Sequence, residues 1–335
     1  MIVERSAGEY TDFRIPGIVA TDGGSLLRYC ECRRSGSDWA DIDIKISRSE
    51  DFGNTWETVL LIKSGGCTLN NPVMLICGHK LIFLYCKNYK EIWKCVSTDD
   101  GKSFGDAIRV DFEDHVDFFF NAVAVGPGHG IVHGQRLLIP IWFACNQQDA
   151  KAHRPSFIST LYSDDGGESW KLGERIFENE LRNPSECALA ITNEGEVLIS
   201  IRHEGEIRTR ALAKSADGIS LWHDLRFEEN LPDPICMGSM TDRNGVIYHS
   251  NCDSVSERRN LTVKVSNDLF KSCRSILVSE LGGYSDIALL GDKLCVLYEK
   301  TVVSHQDGKA VWCPFELFFE VFEIDRIYST PLPQK

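Results

Sequence analysis

An arginine in a constrained setting is the first chemically suggestive feature of this chain. Asp12-Phe13-Arg14-Ile15-Pro16-Gly17 puts a guanidinium between an aromatic ring and an Ile-Pro step at a strand start. The formal net charge is −13 over 335 residues, so an anionic ligand must be captured by a local cationic site and not by the overall field. The same charge argues against nucleic acid and anionic membrane as partners. Further along, Gly283-Tyr284-Ser285-Asp286 sets a tyrosine among small and polar neighbours that favour an exposed hydroxyl. Glu186, in Asn183-Pro-Ser-Glu186-Cys, precedes Arg202 by sixteen residues. Asp38, in Ser35-Gly-Ser-Asp38-Trp39, has loop freedom, whereas Asp41 and Asp43 read as strand residues on a solvated face. Such groups bind anions and move protons. His129 and His133 stand four apart, but Gly126-Pro-Gly-His-Gly130 is a turn, so no metal is expected. Nor is a cofactor. Cys30 and Cys32 alternate along a strand and read as packed thiols.

The elements that must position these groups are marked by a repeat. Ser49-Glu-Asp51-Phe-Gly53-Asn-Thr55-Trp56, Ser97-Thr-Asp99-Asp-Gly101-Lys-Ser103-Phe104 and Ser163-Asp-Asp165-Gly-Gly167-Glu-Ser169-Trp170 share the pattern S-x-D-x-G-x-[ST]-[WF]. Asp can bond the backbone ahead of it, Gly can take φ > 0, and the hydroxyl closes the turn over an aromatic anchor. Weaker copies are Ser215-Ala-Asp217-Gly218-Ile-Ser220-Leu-Trp222 and Ser266-Asn-Asp268-Leu-Phe-Lys-Ser272. The starting serines stand 48, 66, 52 and 51 residues apart. A period near fifty with strands in each unit predicts an all-β, six-bladed antiparallel β-propeller, the sixth unit being shared between the chain ends. Ser304-His-Gln-Asp307-Gly308 reads only as a turn.

Strand patterning agrees. Ile42, Ile44 and Ile46 alternate with polar residues, and apolar runs occur at 80–86, 136–142, 196–202 and 293–299. The run from Phe315 to Ile324 predicts a long strand able to pair with the N-terminus and close the ring. No amphipathic helix longer than a turn or two is visible. A propeller of this length is one domain, 1–335, although length alone suggests two. Apolar stretches fall well short of the ~20 residues of a membrane helix, and no basic and apolar leader follows Met1. Thirteen scattered cysteines suit buried reduced thiols and a cytoplasmic location, a reading that a secreted protein trimmed of its signal would undo.

On the Phe-Arg-Ile-Pro motif and the repeated Asp-box turns, the chain resembles the exo-α-sialidase (neuraminidase) family of six-bladed propellers over nearly its whole length. The resemblance implies that Arg14, Arg202 and Arg258 bind the substrate carboxylate; alignment on Asn-Leu-Thr-Val favours Arg258 over Arg259. It implies Tyr284 as nucleophile, Glu186 as its partner, Asp38 as acid/base and Glu299 as the brace of Arg14. One of Arg33 and Arg34 is expected to touch substrate while the other faces water. Met237, in Leu231-Pro-Asp-Pro-Ile-Cys236-Met-Gly238-Ser239, stands where the family commonly has a polar residue. The Asp boxes are structural turns on the outer rim.

Sialic acids carry a carboxylate on the anomeric carbon, which arginine forks bind better than lysines. A carboxylate nucleophile would be repelled there, whereas a neutral tyrosine would not. Free tyrosine, with a pKa of about 10, needs an adjacent base. Asp38, with an ordinary pKa of about 3.9, must be raised to serve as an acid. The implied function is hydrolysis of terminal sialic acid from glycoproteins, glycolipids or oligosaccharides with retention. Alternatives are a catalytically silent sialoglycan-binding propeller, which would need the arginines but not Asp38, Glu186 and Tyr284, or an enzyme specialised for transfer or for deaminated sialic acid. Loops such as Asp117-Phe-Phe-Phe-Asn121 and Trp39 are expected to shape the acceptor pocket.

Overall fold

Alternating and continuous apolar runs become strands that hydrogen-bond into six sheets of four or five strands. The computed structural model describes residues 1–112, 116–301, 303–306, 309–312 and 314–329, with only the backbone given for 303–306, 309–312 and Ser329. The first blade takes Asp12–Ala20, Leu26–Arg33, Ile42–Ser49 and Glu57–Ile62 in chain order. The next four begin with Leu69–Cys77, Ala122–Val125, Cys187–Ile191 and Ser239–Arg243. In the sixth, Ser285–Leu290, Lys293–Lys300 and Glu316–Glu323 are completed by Ile2–Glu4 from the N-terminus. That last pairing, Ile2 with Phe318 and Glu4 with Leu317, closes the ring as the sequence predicts. The predicted closing strand stops one residue early, because Ile324 begins the short helix Ile324–Ser329.

The first strands of neighbouring blades contact one another around the axis, except between the third and fourth, where Ile131–His133 and Arg136–Ala144 meet Cys187–Ile191. Since strands within a blade run antiparallel, the start of each first strand and the second-to-third connection share one face. The third-to-fourth connection lies on the opposite face, and that is where every Asp box sits. In the first box Ser49 Oγ donates to Asp51 Oδ1 at 2.8 Å, while Gly53 N donates to Ser49 Oγ at 2.9 Å. Thr55 N and Oγ1 donate to the two oxygens of Asp51 at 2.9 and 2.7 Å. The boxes at 97, 163, 215 and 266 repeat the wiring. Gly53 has φ 83°, the left-handed region that the turn requires. In the fifth box Phe270 takes the glycine's place at φ 67° and sends its fully buried ring into the core.

Apolar side chains fill the spaces between blades. The largest cluster joins Val73, Leu75 and Ile82 of the second blade to Leu138, Ile139 and Trp170 of the third. Gly128 and His129, expected in a turn, form a two-residue strand that pairs in parallel with Val73 and Met74. Asp307 and Gly308, the expected late turn, lie outside the described residues. The described cysteines are all free, most of them buried. Among the described residues no helix is long and apolar enough to cross a membrane.

Candidate active site

On the face opposite the Asp boxes, a cavity of about 320 Å³ opens at the axis. Two β-bulges help build it. The pairing of the first blade's inner strand slips between Arg14 and Gly17, with Ile15 at φ 57°. The second blade's inner strand slips between Asn70 and Val73, with Asn71 at φ 52°. A bulge bends its strand and re-aims the neighbouring side chain; here Arg14 and Asn71 are both turned to the cavity wall.

Arg14 is gripped by Glu299, with Nη2–Oε1 2.8 Å and Nε–Oε2 3.1 Å, and Ile15 N adds a bond to Glu299 Oε2 at 3.3 Å. Burial pushes the Glu299 carboxyl up, but Arg14 outweighs it and the net direction is down. A Cβ at Gly283 would stand 2.9 Å from Glu299 Oε1, so only glycine lets that carboxylate come so close to the strand leading to Tyr284. Tyr284 OH donates to Glu186 Oε1 at 2.5 Å and accepts from Arg202 Nη1 at 2.7 Å. Arg202 also pairs with Glu186 Oε2. Burial pushes the Tyr284 phenol well above its usual value; Arg202 and Arg258 pull it back and Glu186 adds to the rise. The phenol is therefore protonated at neutral pH and must give up its proton to react. The Arg258 guanidinium lies 5.2 Å from the centre of the Tyr284 ring, and that of Arg14 5.4 Å. Arg259 turns away to Glu257 at 3.5 Å.

Asp38 also lines the cavity, its Oδ1 2.8 Å from Arg33 Nη1. Arg33 is buried against Glu31, which Asn71 N holds from the other side at 2.8 Å. Glu31 is a positioning residue that sequence reading passed over, although its alternation with Arg33 along one strand was visible. Burial tends to raise the Asp38 carboxyl, but Arg33 and Arg14 prevail and the net shift is downward. This corrects the expectation of a raised acid: the guanidiniums of Arg33 and Arg14 hold the Asp38 carboxyl below its ordinary value. Arg34 leaves the cavity and pairs with Glu9, Asp41 and Asp43. Asp43 is not on a solvated face as expected. It is fully buried, accepting from Tyr10 OH at 2.6 Å and Ser64 N at 2.8 Å.

Three other expectations are revised or resolved. Phe118 and Phe120 pack inward on Phe143, and Asn121 Nδ2 bonds Ala152 O at 2.7 Å, so this run buttresses a neighbouring loop instead of lining the cavity. Trp39 stands behind the wall, against Tyr89 at 4.6 Å and His153 at 5.8 Å. Met237 packs beneath Tyr284 with Ile15, Cys236 and Cys252, away from the cavity lining. Tyr89, Trp142, His153, Arg154, Asn183 and Glu204 do line it and went unrecognised. Trp142 belongs to the apolar run 136–142, and the others come from loops or turns with no pattern of their own, so only the fold brings the six together.

The chain matches the family model described as BNR repeat-like domain over residues 24–294. It is 26% identical to a sialidase of Bacteroides fragilis, an alignment covering 89% of this chain and 62% of that protein. The chain thus spans less than two thirds of that relative's length. A sialidase of Paraclostridium sordellii is 24% identical over 86% of this chain and 81% of its own. Among solved structures, a Hadza microbial sialidase superposes with a TM-score of 0.78 at 22% identity, covering 95% of this chain and 67% of that one. At that identity the superposition speaks for the fold alone.

Proposed function

We propose, for a chain that belongs to the BNR-repeat family of Asp-box sialidase propellers, that it is an exo-α-sialidase acting by double displacement at Tyr284. The observation that carries this reading is the Tyr284 hydroxyl shared between Glu186 and Arg202 in a cavity that Asp38 also lines. The substrate carboxylate is held by Arg14, Arg202 and Arg258. Tyr284 O attacks the anomeric carbon as its proton passes to Glu186, while Asp38 delivers a proton to the departing glycosidic oxygen. In the second half, the Asp38 carboxylate takes a proton from water, and the water oxygen displaces the tyrosyl oxygen. Glu186 then returns the proton to the phenol. Two displacements retain configuration.

The low Asp38 carboxyl fits this cycle. When an anionic substrate lands on Arg14, it offsets one of the charges that hold Asp38 down, so proton affinity rises as substrate binds. Arg202, already bonded to the phenol oxygen, stabilises negative charge developing there.

Incubation with a fluorogenic aryl α-sialoside, followed by proton NMR of the first-formed sugar, tests the reading. Release of the α-anomer is expected. Initial β-anomer would overturn retention, and tight binding of a sialic acid analogue without cleavage would make the chain a glycan-binding propeller.

A further inference from the structure

The cavity wall is crowded with hydrogen-bond donors. Arg14, Arg33, Arg154, Arg202 and Arg258 all contribute to it, and an arginine has no acceptor atom. The carboxylates that could accept are largely engaged. Both oxygens of Glu204 hold Arg154, at 2.5 and 2.6 Å. Glu186 serves Tyr284 and Arg202, and Asp38 Oδ1 serves Arg33. A sugar bound here brings hydroxyls, and an N-acylated one an amide N–H, that need acceptors of their own.

Apart from the second oxygen of Asp38, which the acid/base step claims, His153 is the exception. It is set in a cage of Trp39 (5.8 Å), Tyr89 (5.0 Å) and Trp142 (5.4 Å), the last edge-on at 72°. Its Nε2 is shut away from solvent with no hydrogen-bond partner. A nitrogen so enclosed is best accommodated as an N–H directed at an aromatic face, since a bare lone pair would meet the negative face of the rings. Burial, with Arg154 and Arg202 nearby, outweighs Asp38 and Glu186 and favours the neutral ring. A neutral ring protonated at Nε2 carries a lone pair on Nδ1, the nitrogen left for the cavity that the ring lines.

We propose that His153 determines substrate specificity, its Nδ1 accepting a hydrogen bond from a hydroxyl or amide N–H of the bound sugar. The inference rests on the sialidase reading above. The aromatic cage supplies rigidity, so a ligand need not order this side chain.

The test compares wild type, His153→Phe and His153→Gln on three aryl α-sialosides: N-acetylated, deaminated, and N-acetylated with a shortened glycerol tail. Phenylalanine keeps the ring and removes the acceptor, while glutamine restores a carbonyl acceptor. His153→Phe is expected to raise KM about ten- to hundredfold with kcat little changed, and His153→Gln to recover part of that loss. A penalty that vanishes on one analogue assigns the donor to the altered position, and an equal rise in KM on all three assigns it to a ring hydroxyl they share. No penalty, or a fall in kcat alone, overturns the proposal. Nitrogen-15 NMR of the ring in the full protein provides a second test that needs no turnover. Protonated Nε2 and bare Nδ1 are expected, and the opposite tautomer or an imidazolium at neutral pH overturns it. A wild-type protein that cleaves no sialoside defeats the sialidase reading instead.

Discussion

The two faces of the propeller handle polar groups in opposite ways. On the Asp-box face, the central carboxylate of the box is satisfied by groups within four residues of it: Asp51 by Ser49 and Thr55, Asp99 by Ser97 and Ser103, Asp165 by Ser163 and Ser169. On the cavity face, partners within a blade, such as Arg33 with Glu31 and Arg202 with Glu186, are joined by partners from distant blades. Arg14 and Glu299 are 285 residues apart, Tyr284 and Glu186 are 98 apart, and Arg202 and Tyr284 are 82 apart. The box groups spend their bonding capacity on their own turns. The cavity groups keep some in reserve: among the described residues Asp38 pairs with Arg33 through Oδ1 alone, and Arg258 reaches only Ile235 O, at 3.4 Å. Local satisfaction supports the fold, whereas incomplete satisfaction among converging charges suits a binding site.

If that division is right, substitutions on one face alter activity with little change in Tm, and those on the other do the reverse. The largest effect is expected from Tyr284→Phe, which keeps the buried ring but removes the hydroxyl. Hydrolysis should fall by about 10³-fold or more with Tm little altered; turnover near the wild-type rate would mean that another group attacks. Asp38→Asn comes next. Substrates with poor leaving groups should lose about 10²–10⁴-fold, while an activated aryl sialoside loses less in its first step. Equal losses on both, with the split appearing in Asp41→Asn, would move the acid out of the cavity.

Arg14→Ala, Arg202→Ala and Arg258→Ala sharpen the comparison within the cavity face. Each should weaken binding of a sialic acid analogue by about one to two orders of magnitude, since a charged hydrogen bond contributes roughly 1.5–3 kcal/mol. Arg259→Ala, on a side chain aimed at Glu257, should do much less. Calorimetric titration separates these cases, and reversed effects at 258 and 259 would contradict the placement of the two guanidiniums.

A smaller effect is expected in the pH profile. Asp38 must be protonated to act as an acid and is held low in the free protein. The alkaline limb of kcat/KM should therefore lie at lower pH than that of kcat, where bound carboxylate offsets Arg14, by about one unit. Coincident limbs would mean that substrate does not tune the acid. The smallest change belongs to the other face. Asp51→Asn should lower Tm by a few degrees and leave kcat/KM intact. Asp51 and Asp99 are held at about 2 by hydrogen bonds from their own boxes. A depressed carboxyl stabilises the fold above its unfolded value near ~3.9, and that contribution is lost as pH falls through about 2. Thermal melts between pH 5 and pH 2 should show the wild type losing stability more steeply than Asp51→Asn.

What could be read in advance follows the same division. The boxes were legible because donor, acceptor and φ requirement all lie within eight residues. The fifth was legible despite lacking glycine, since Ser266, Asp268 and Ser272 still mark it. Arg14, Arg202, Tyr284 and Glu186 could be picked out by their motifs. Arg154 and Glu204 could not, because they pair with each other across fifty residues; Glu31 was within reach through its alternation with Arg33, but its bond from Asn71 N comes from the next blade. Asp43 was misplaced for a related reason: its strand position was clear, but Tyr10, Arg34 and Ser64, which allow its burial, enter from elsewhere.

The sequence by itself therefore determined the repeat, the blade number and the residues able to bind an anion and carry a proton, because these depend on short-range spacing and residue chemistry. Only the tertiary structure decided which guanidinium meets which carboxylate. It also decided that Asp38 is held low instead of raised, and that His153 stands among three aromatic rings at the cavity wall. Electrostatic fields and desolvation depend on distances through space, and ring closure brings residues hundreds of positions apart within a few ångströms.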